Sequence, residues 1–383
     1  MTKMSKKELI SSTKPRYLKA NKKEKTKILE EFVKNTNYNR KYAITIMKAG
    51  YDHLKVEKVG RKQRKPKYDN DVICAAIKVW ELLDFPCGVR LQPNLLPTIC
   101  AMERFNEIEV SSEIKMKLTE ISAKTLDRRL KKERESRHLD RHRGTTKHGS
   151  MLKSQIPVRI TDWDTSELGF MEMDTVAHNG GDPSGTFVYS LDMVEICSGW
   201  SEQYAIYGKG EIETQAAVSD IRQGLPFELF GLDSDSGGEF VNYHMLRYCQ
   251  KEPSLYFTRS RPGKKNDNAY VEQKNGSHIR DLLGFERFDT RAHVEAMNDL
   301  YRNELRLFNN FFKPVMKIES KEKVNNSLCR KKYDKAKTPY LRLMECEDVP
   351  AEKKKELEAL YLSLNPVQLK REIERKVKLI KNL

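Results

Sequence analysis

The chain has 383 residues, 38% hydrophobic and 33% charged, with a net charge of +16. That length supports two or three domains and a substantial core, and no run approaches the roughly 18 apolar residues of a membrane span. The N-terminus shows no apolar signal region, and the seven scattered cysteines form no C-x-x-C pair; these features argue against secretion, a disulfide framework and a zinc finger, and for a reduced, cytoplasmic protein.

The charge is unevenly placed. Residues 1–160 hold 38 Lys and Arg against 19 Asp and Glu, residues 161–310 hold 14 against 25, and residues 311–383 hold 19 against 11. An acidic middle between basic flanks suggests a carboxylate-bearing core with arms that grip nucleic acid.

The first 57 residues read as a small helical module. Asn21 with Glu24 fits a capping box, and Ile28, Leu29, Phe32 and Val33 follow as an apolar stripe. After a break at 35–37, Asn39 can cap a second helix carrying Tyr42, Ala43, Ile46 and Met47 inward. Two short helices across a turn resemble a helix-turn-helix, whose second helix offers Arg40, Lys41, Thr45 and Lys48 to a DNA groove. Residues 58–68 are a basic linker.

A second helical module is expected over 69–137. Val72, Ile73, Ala76, Ile77, Trp80 and Leu83 make one amphipathic helix, and Ile114, Leu118 and Ile121 sit on another. Ser122 caps a third, with Leu126 and Leu130 inward and Lys124, Thr125, Arg128 and Arg129 outward, a second helix-turn-helix candidate. Residues 138–154 read as a linker; the His138 and His142 pair within it lacks partners for a metal site and is read as part of a solvated basic segment.

From about residue 155 the pattern changes. Strands are expected over 170–176, 186–194 and 203–207, then a helix over 212–221, a strand within 225–235, a helix over 243–249, a strand over 255–258 and a helix over 268–283. This order, βββ-α-β-α-β-α, is that of a ribonuclease-H-like α/β core with a mixed sheet, placed at 155–312. The basic tail, 313–383, suggests helices over 353–364 and 367–380.

Three acids stand out: Asp174 near the end of the first strand, Asp235 at the end of the fourth, and Glu272 one turn into a helix, with intervals of 60 and 36 residues. Asp233 would share a strand face with Asp235, but Asp235 abuts Ser236, Gly237 and Gly238, small residues that leave room for a phosphate. Glu172 shares a face with Asp174 and stays an alternative. Asp267 reads as a helix cap, and Asp192 and Glu239 as structural or surface groups.

The run Asp235 to Phe240 resembles the D-x-G-x-E-F element of retroviral integrases and bacterial insertion-sequence transposases. The segment Arg259 to Asn275 resembles their loop and helix around the final catalytic Glu, and Met173-Asp174-Thr175-Val176 their first acidic strand. The likeness covers about residues 155–290. It departs at Ser236, where the family commonly has Asn, and no N-terminal zinc module is visible; the helical modules take its place.

The resemblance implies a DDE transposase of bacterial type with Asp174, Asp235 and Glu272 as catalytic residues and ligands of two Mg²⁺ ions, with Mn²⁺ as a substitute. Hard cations suit carboxylate oxygens, and a pair of them can activate an attacking oxygen and stabilise a leaving one in phosphodiester chemistry. Water would first free a 3′-hydroxyl at the element end, and that hydroxyl would attack target DNA, with no covalent protein intermediate. Arg259, Arg261, Lys264, Lys265, Lys274 and Arg280 flank Glu272 and are expected to grip DNA phosphates. Partners implied are double-stranded DNA and further copies of the chain, and no membrane. The competing readings are a non-catalytic DNA-binding protein derived from a transposase and a ribonuclease-H-like nuclease.

Overall fold

Short polar caps and apolar stripes build the N-terminal unit. The computed structural model describes residues 2–49, 67–137, 167–234, 240, 243–251, 255–260, 269–325 and 328–383, and the chain divides into two units, Met1–Lys67 and Tyr68–Leu383. In the first unit, α1 (Lys3–Lys19), α2 (Lys22–Thr36) and α3 (Arg40–Ala49) follow one another. Asn21 accepts from the N–H of Lys23 and Glu24 while the Glu24 carboxylate accepts from the Asn21 N–H, the expected capping box. Asn37 ends α2 in the left-handed region at φ 58°, a conformation Asn tolerates better than most residues. Asn39 then accepts from the Lys41 N–H at 2.9 Å and starts α3. Ile28, Leu29, Phe32, Ala43, Ile46 and Met47 close a small core with Ile10 and Tyr17 of α1. The sequence pattern gave no sign of α1, because its buried residues stand two turns apart and Pro15 lies inside it.

The second unit begins with α4 (Asn70–Leu82), α5 (Gly88–Leu91), α6 (Leu95–Arg104), α7 (Ser112–Glu120) and α8 (Ala123–Ser136). Ser122 caps α8 by accepting from the Thr125 N–H at 3.2 Å. Trp80 is buried, with its indole N–H on the Pro86 carbonyl at 3.0 Å. At Gly88 the chain runs so close to α8 that a Cβ would lie 2.2 Å from the Ala123 oxygen, so only glycine fits.

A five-stranded mixed sheet follows: β1 (Phe170–Ala177), β2 (Val188–Glu195), β3 (Ser201–Tyr207), β4 (Gly231–Ser234) and β5 (Tyr256–Arg259) in the order β3-β2-β1-β4-β5. β1–β2 and β2–β3 are antiparallel; β1–β4 and β4–β5 are parallel. Parallel neighbours need crossovers, supplied by α9 (Glu211–Gly224) before β4 and α10 (Tyr243–Lys251) before β5. The sequential order of strands and helices matches the expected one.

Alternation gives the sheet two unlike faces. Met171, Met173, Leu191, Met193, Ile206, Leu232 and Phe257 form an apolar face against Ala217, Val218 and Ile221 of α9 and Met245 and Cys249 of α10. The intervening residues, Glu172, Asp174, Asp192, Gln203 and Asp233, put polar groups on the other face. Over that face run α11 (Ala269–Lys274), a π-helical turn (Asn275–Arg280) and α12 (Asp281–Leu283), then α13 (Arg291–Leu300), a second π-helical turn (Tyr301–Leu305) and α14 (Arg306–Phe311).

The tail holds the two helices expected over 353–364 and 367–380, and one departure from expectation. Its first part is an antiparallel hairpin, β6 (Ile318–Asn325) and β7 (Leu328–Tyr333), rather than helix; these strands lack the apolar alternation by which a strand is recognised. α15 (Pro339–Glu345), α16 (Ala351–Ser363) and α17 (Pro366–Lys381) complete the chain. α17 lies against both the helical module and the sheet domain. Its first half bonds to the module, Lys370 to Asp84 and Arg371 to Glu107. Its second half bonds to the core side, Lys376 to Asp299 and Glu304 and Lys381 to Glu286. Ile373 and Ile380 are buried beneath it; each such side chain stabilises by about 1.5–3 kcal/mol. Among the described residues no helix is long and apolar enough to cross a membrane.

Candidate catalytic site

Asp174 sits on the polar face in the middle of β1, one residue past the end of its pairing with β4, and is half-buried. One carboxylate oxygen accepts from the Thr175 N–H at 2.7 Å, and the other accepts from the Asn275 side-chain amide at 2.7 Å. Asn275 opens the π-helical turn that continues α11. Glu272 lies three residues earlier and is exposed. Residues three apart share a helix face, so the link from Asn275 to Asp174 brings the Glu272 side of α11 to the first acid. Asn275 is a site residue that sequence reasoning missed; its spacing from Glu272 was the available signal.

Glu172, the alternative first acid, is otherwise engaged. It is 2% exposed and its carboxylate accepts from the N–H of Tyr270 at 2.9 Å and of Val271 at 3.2 Å. A carboxylate at a helix start satisfies N–H groups that lack intrahelical partners, so Glu172 seats the helix that carries Glu272. Asp233 is fully buried and accepts from the Thr258 hydroxyl at 2.5 Å. Asp235, with Ser236, Gly237 and Gly238, lies outside the described residues; Ser234, just before it, ends β4 as the register partner of Met173.

Beneath Glu272 the polar face holds a buried cluster. Asp192 is the cross-strand partner of Asp174; it is fully buried and accepts from the Gln203 amide at 2.8 Å. Burial pushes its carboxyl up to about 7, against the Gln203 hydrogen bond and the positive charge of Lys274. Lys274 is 8% exposed, with its ammonium 3.3 Å from His278 Nε2. Burial brings it down to about 7, opposed by Asp192. His278 is held well below its usual range by burial and by the neighbouring Lys274 and Lys313 charges, and its Nδ1 faces the Ser201 hydroxyl at 3.3 Å.

The expected DNA-facing cations separate into groups. Lys274 is corrected: it points into the protein, not toward solvent. Arg259, 7% exposed, is likewise turned inward; two residues after the buried Phe257, it shares that residue's face of β5. Arg280 is half-buried, donates to the Ala177 carbonyl at 2.7 Å and lies over the Phe285 ring. Arg261, Lys264 and Lys265 lie outside the described residues. On α3, Arg40, Lys41, Thr45 and Lys48 are all exposed, with Arg40 3.6 Å from Glu30. On α8, Lys124 and Arg128 are exposed, while Thr125 bonds to Ser122 and Arg129 donates to the Tyr68 carbonyl.

Among the described residues no group of three His, Cys, Asp or Glu is placed to hold a metal ion. Two of the three expected ligands, Asp174 and Glu272, do fit a hard divalent cation. Both supply carboxylate oxygens, neither is buried, and the Asn275 contact joins their elements.

Comparison with protein-family models gives no match. A protein of Sinorhizobium fredii described as uncharacterized protein y4rM is 34% identical over 319 residues, covering 83% of this chain and 89% of its own. Among solved structures, a chain of the simian T-cell lymphotropic virus intasome in complex with PP2A regulatory subunit B56 gamma aligns with 42% of this chain at 13% identity and a TM-score of 0.32. This chain spans 55% of that one. The catalytic core domain of BIV integrase aligns with 47% of this chain and 95% of its own, at 17% identity and a TM-score of 0.30.

Proposed function

We propose that this chain, which belongs to the family of the Sinorhizobium y4rM protein, is a DDE-type transposase with a ribonuclease-H-like catalytic core. It binds the ends of a mobile DNA element and carries out metal-dependent strand cleavage and strand transfer. One observation carries this reading: the amide of Asn275, three residues after Glu272, is bonded to the carboxylate of Asp174. That bond ties the helix that carries Glu272 to the strand that carries Asp174, two acids almost a hundred residues apart in a recombinase-like motif.

Asp174, Asp235 and Glu272 would hold the divalent cations. Bound there, the cations would activate the attacking oxygen and stabilise the leaving one. The chain's own residues prepare the site. Asn275 fixes the rotamer of Asp174, and Glu172 seats the first turn of α11. The exposed cations of α3 and α8 supply phosphate contacts that position DNA without reading its sequence.

The test is a cleavage and joining assay with labelled element ends and Mg²⁺ or Mn²⁺. Wild-type protein should join ends to target DNA, and Asp174→Asn, Asp235→Asn and Glu272→Gln should each abolish joining while leaving DNA binding intact. Binding with no metal-dependent cleavage by wild-type protein would replace the proposal with a non-catalytic DNA-binding role.

A further inference from the structure

Helix α8, with Lys124 and Arg128 exposed, is tied at both ends to the turn that follows α4. Near its start, Asp127 accepts from the Gly88 N–H at 2.8 Å. Just past its end, Arg137 bonds to Glu81 and lies over the Phe85 ring. The turn itself has an unusual backbone. Asp84 and Phe85 both stand in the left-handed region, at φ 60° and 59°, which a bulky residue such as Phe adopts only at a cost. The Phe85 N–H donates to the Trp80 carbonyl at 2.8 Å, and the two rings meet edge to face. Strain of this kind persists where the surroundings over-determine it. Here the strained turn carries a carboxylate, Asp84, that meets two lysines from distant parts of the chain.

Both lysines belong to the helices that cover the sheet. Lys313, two residues past α14, meets one oxygen of Asp84 at 2.8 Å, and Lys370 of α17 bonds to the other. Both also lie over the ring of the buried Phe308. α14 is fastened to β3, because the Asn310 side chain accepts from the Ser201 N–H and donates to the Ser201 carbonyl, each at 2.9 Å. α17 packs on α4 and α6 on one side and on α13 and α14 on the other. Ile373, Lys376 and Ile380 form its buried face, and the Lys376 ammonium meets Asp299 and Glu304 at 2.6 Å each. A lysine at such a position is tolerated only while paired, so α17 cannot slide along the core without stranding it.

Resting on the catalytic reading above, we infer that Asp84 is the joint that locks α8 to the sheet bearing Asp174, and so fixes where on a bound DNA end the strand is cut. Asp84 acts through other residues and is a positioning residue. The path is continuous. α8 holds Gly88 and Glu81, the turn between them holds Lys313 and Lys370 through Asp84, Asn310 holds β3, and β3 pairs through β2 with β1. Successive phosphates of one strand stand about 3.4 Å apart along the duplex. A drift of that size between α8 and the carboxylates therefore moves the cut by one nucleotide.

The test maps cut positions at nucleotide resolution on an end-labelled DNA duplex, with hydrogen exchange of the full chain measured in parallel. The variants are Asp84→Asn and the double variant Lys313→Met with Lys370→Met. Wild-type protein should cut at one dominant position, and both variants should spread the cut over neighbouring positions while binding DNA as wild type does. Amides of residues 84–91 and of the first half of α17 should exchange about tenfold faster, two part-exposed ion pairs being lost, while those of β1 and β2 keep their rates. Variants that melt earlier yet cut at the single wild-type position would show a joint that serves stability alone, and would overturn the proposal. Unchanged exchange in both stretches would overturn it as well. Wild-type protein that cuts no DNA with Mg²⁺ or Mn²⁺ sinks the catalytic reading and the claim about cut position; the exchange rates then still decide whether Asp84 holds α8 to the sheet.

Discussion

Replacing Asn275 by Ala removes one hydrogen bond from Asp174 and nothing from the backbone. The lost contact is short, 2.7 Å, and has a carboxylate as acceptor. Hydrogen bonds to charged groups contribute about 1.5–3 kcal/mol. A tenfold rate change corresponds to about 1.4 kcal/mol, so full loss in the transition state would slow cleavage by about 10- to 150-fold. Asn275 is half-buried and its other amide atom makes no hydrogen bond, so Ala strands no donor. The assay is single-turnover cleavage of a labelled DNA end at saturating Mg²⁺, with DNA affinity measured in parallel. The rate should fall in that range while affinity for DNA stays unchanged. A rate within twofold of wild type would refute the claim that this amide holds the first acid in place.

Other outcomes follow from the same structure. Lys41→Ala with Lys48→Ala should weaken DNA binding and lower the slope of log affinity against log salt by about 1.8, since each phosphate contact contributes about 0.9; an unchanged slope would remove α3 from the interface. Gly88→Ala should destabilise the second unit by about 1–3 kcal/mol in a denaturant titration, because its Cβ would meet the Ala123 carbonyl oxygen at 2.2 Å. Asp84 feels burial, which raises its pKa, but Lys313 and Lys370 outweigh that and hold it below 3.8. A depressed carboxyl stabilises above its unfolded value and loses that contribution as pH falls through the folded one. Asp84→Asn should therefore lower stability at pH 6 and flatten the acid limb below pH 4, checked by thermal melts across that range.

The elements that could be read in advance were those whose local signals agree. Asn21 with Glu24, Asn39 and Ser122 each offer a side-chain oxygen to free N–H groups just before an apolar stripe, and each caps a helix. The strands of the sheet showed through because their apolar face alternates with the polar one. α1 and the β6–β7 hairpin did not, because neither carries such a period; their form depends on what they pack against or pair with. The inward turn of Lys274 was hidden for a related reason. A lysine on a polar helix reads as solvated, and the His278 ring that it bonds in the interior is held by Ser201 of β3, more than seventy residues earlier.

That polar face ties the fold to the chemistry. A sheet covered by helices on both sides would ordinarily present apolar residues on both faces. Here the face toward α9 and α10 does so, while the face toward α11 carries Glu172, Asp174, Asp192 and Gln203. Each of these side chains has a partner that converges on the strands or helix around Glu272. Buried polar groups demand satisfied and specific geometry, so the arrangement exchanges some of the freedom of an apolar interface for a defined helix orientation. A site that must hold several carboxylates close together needs that definition, since their mutual repulsion would otherwise be relieved by letting the helix shift.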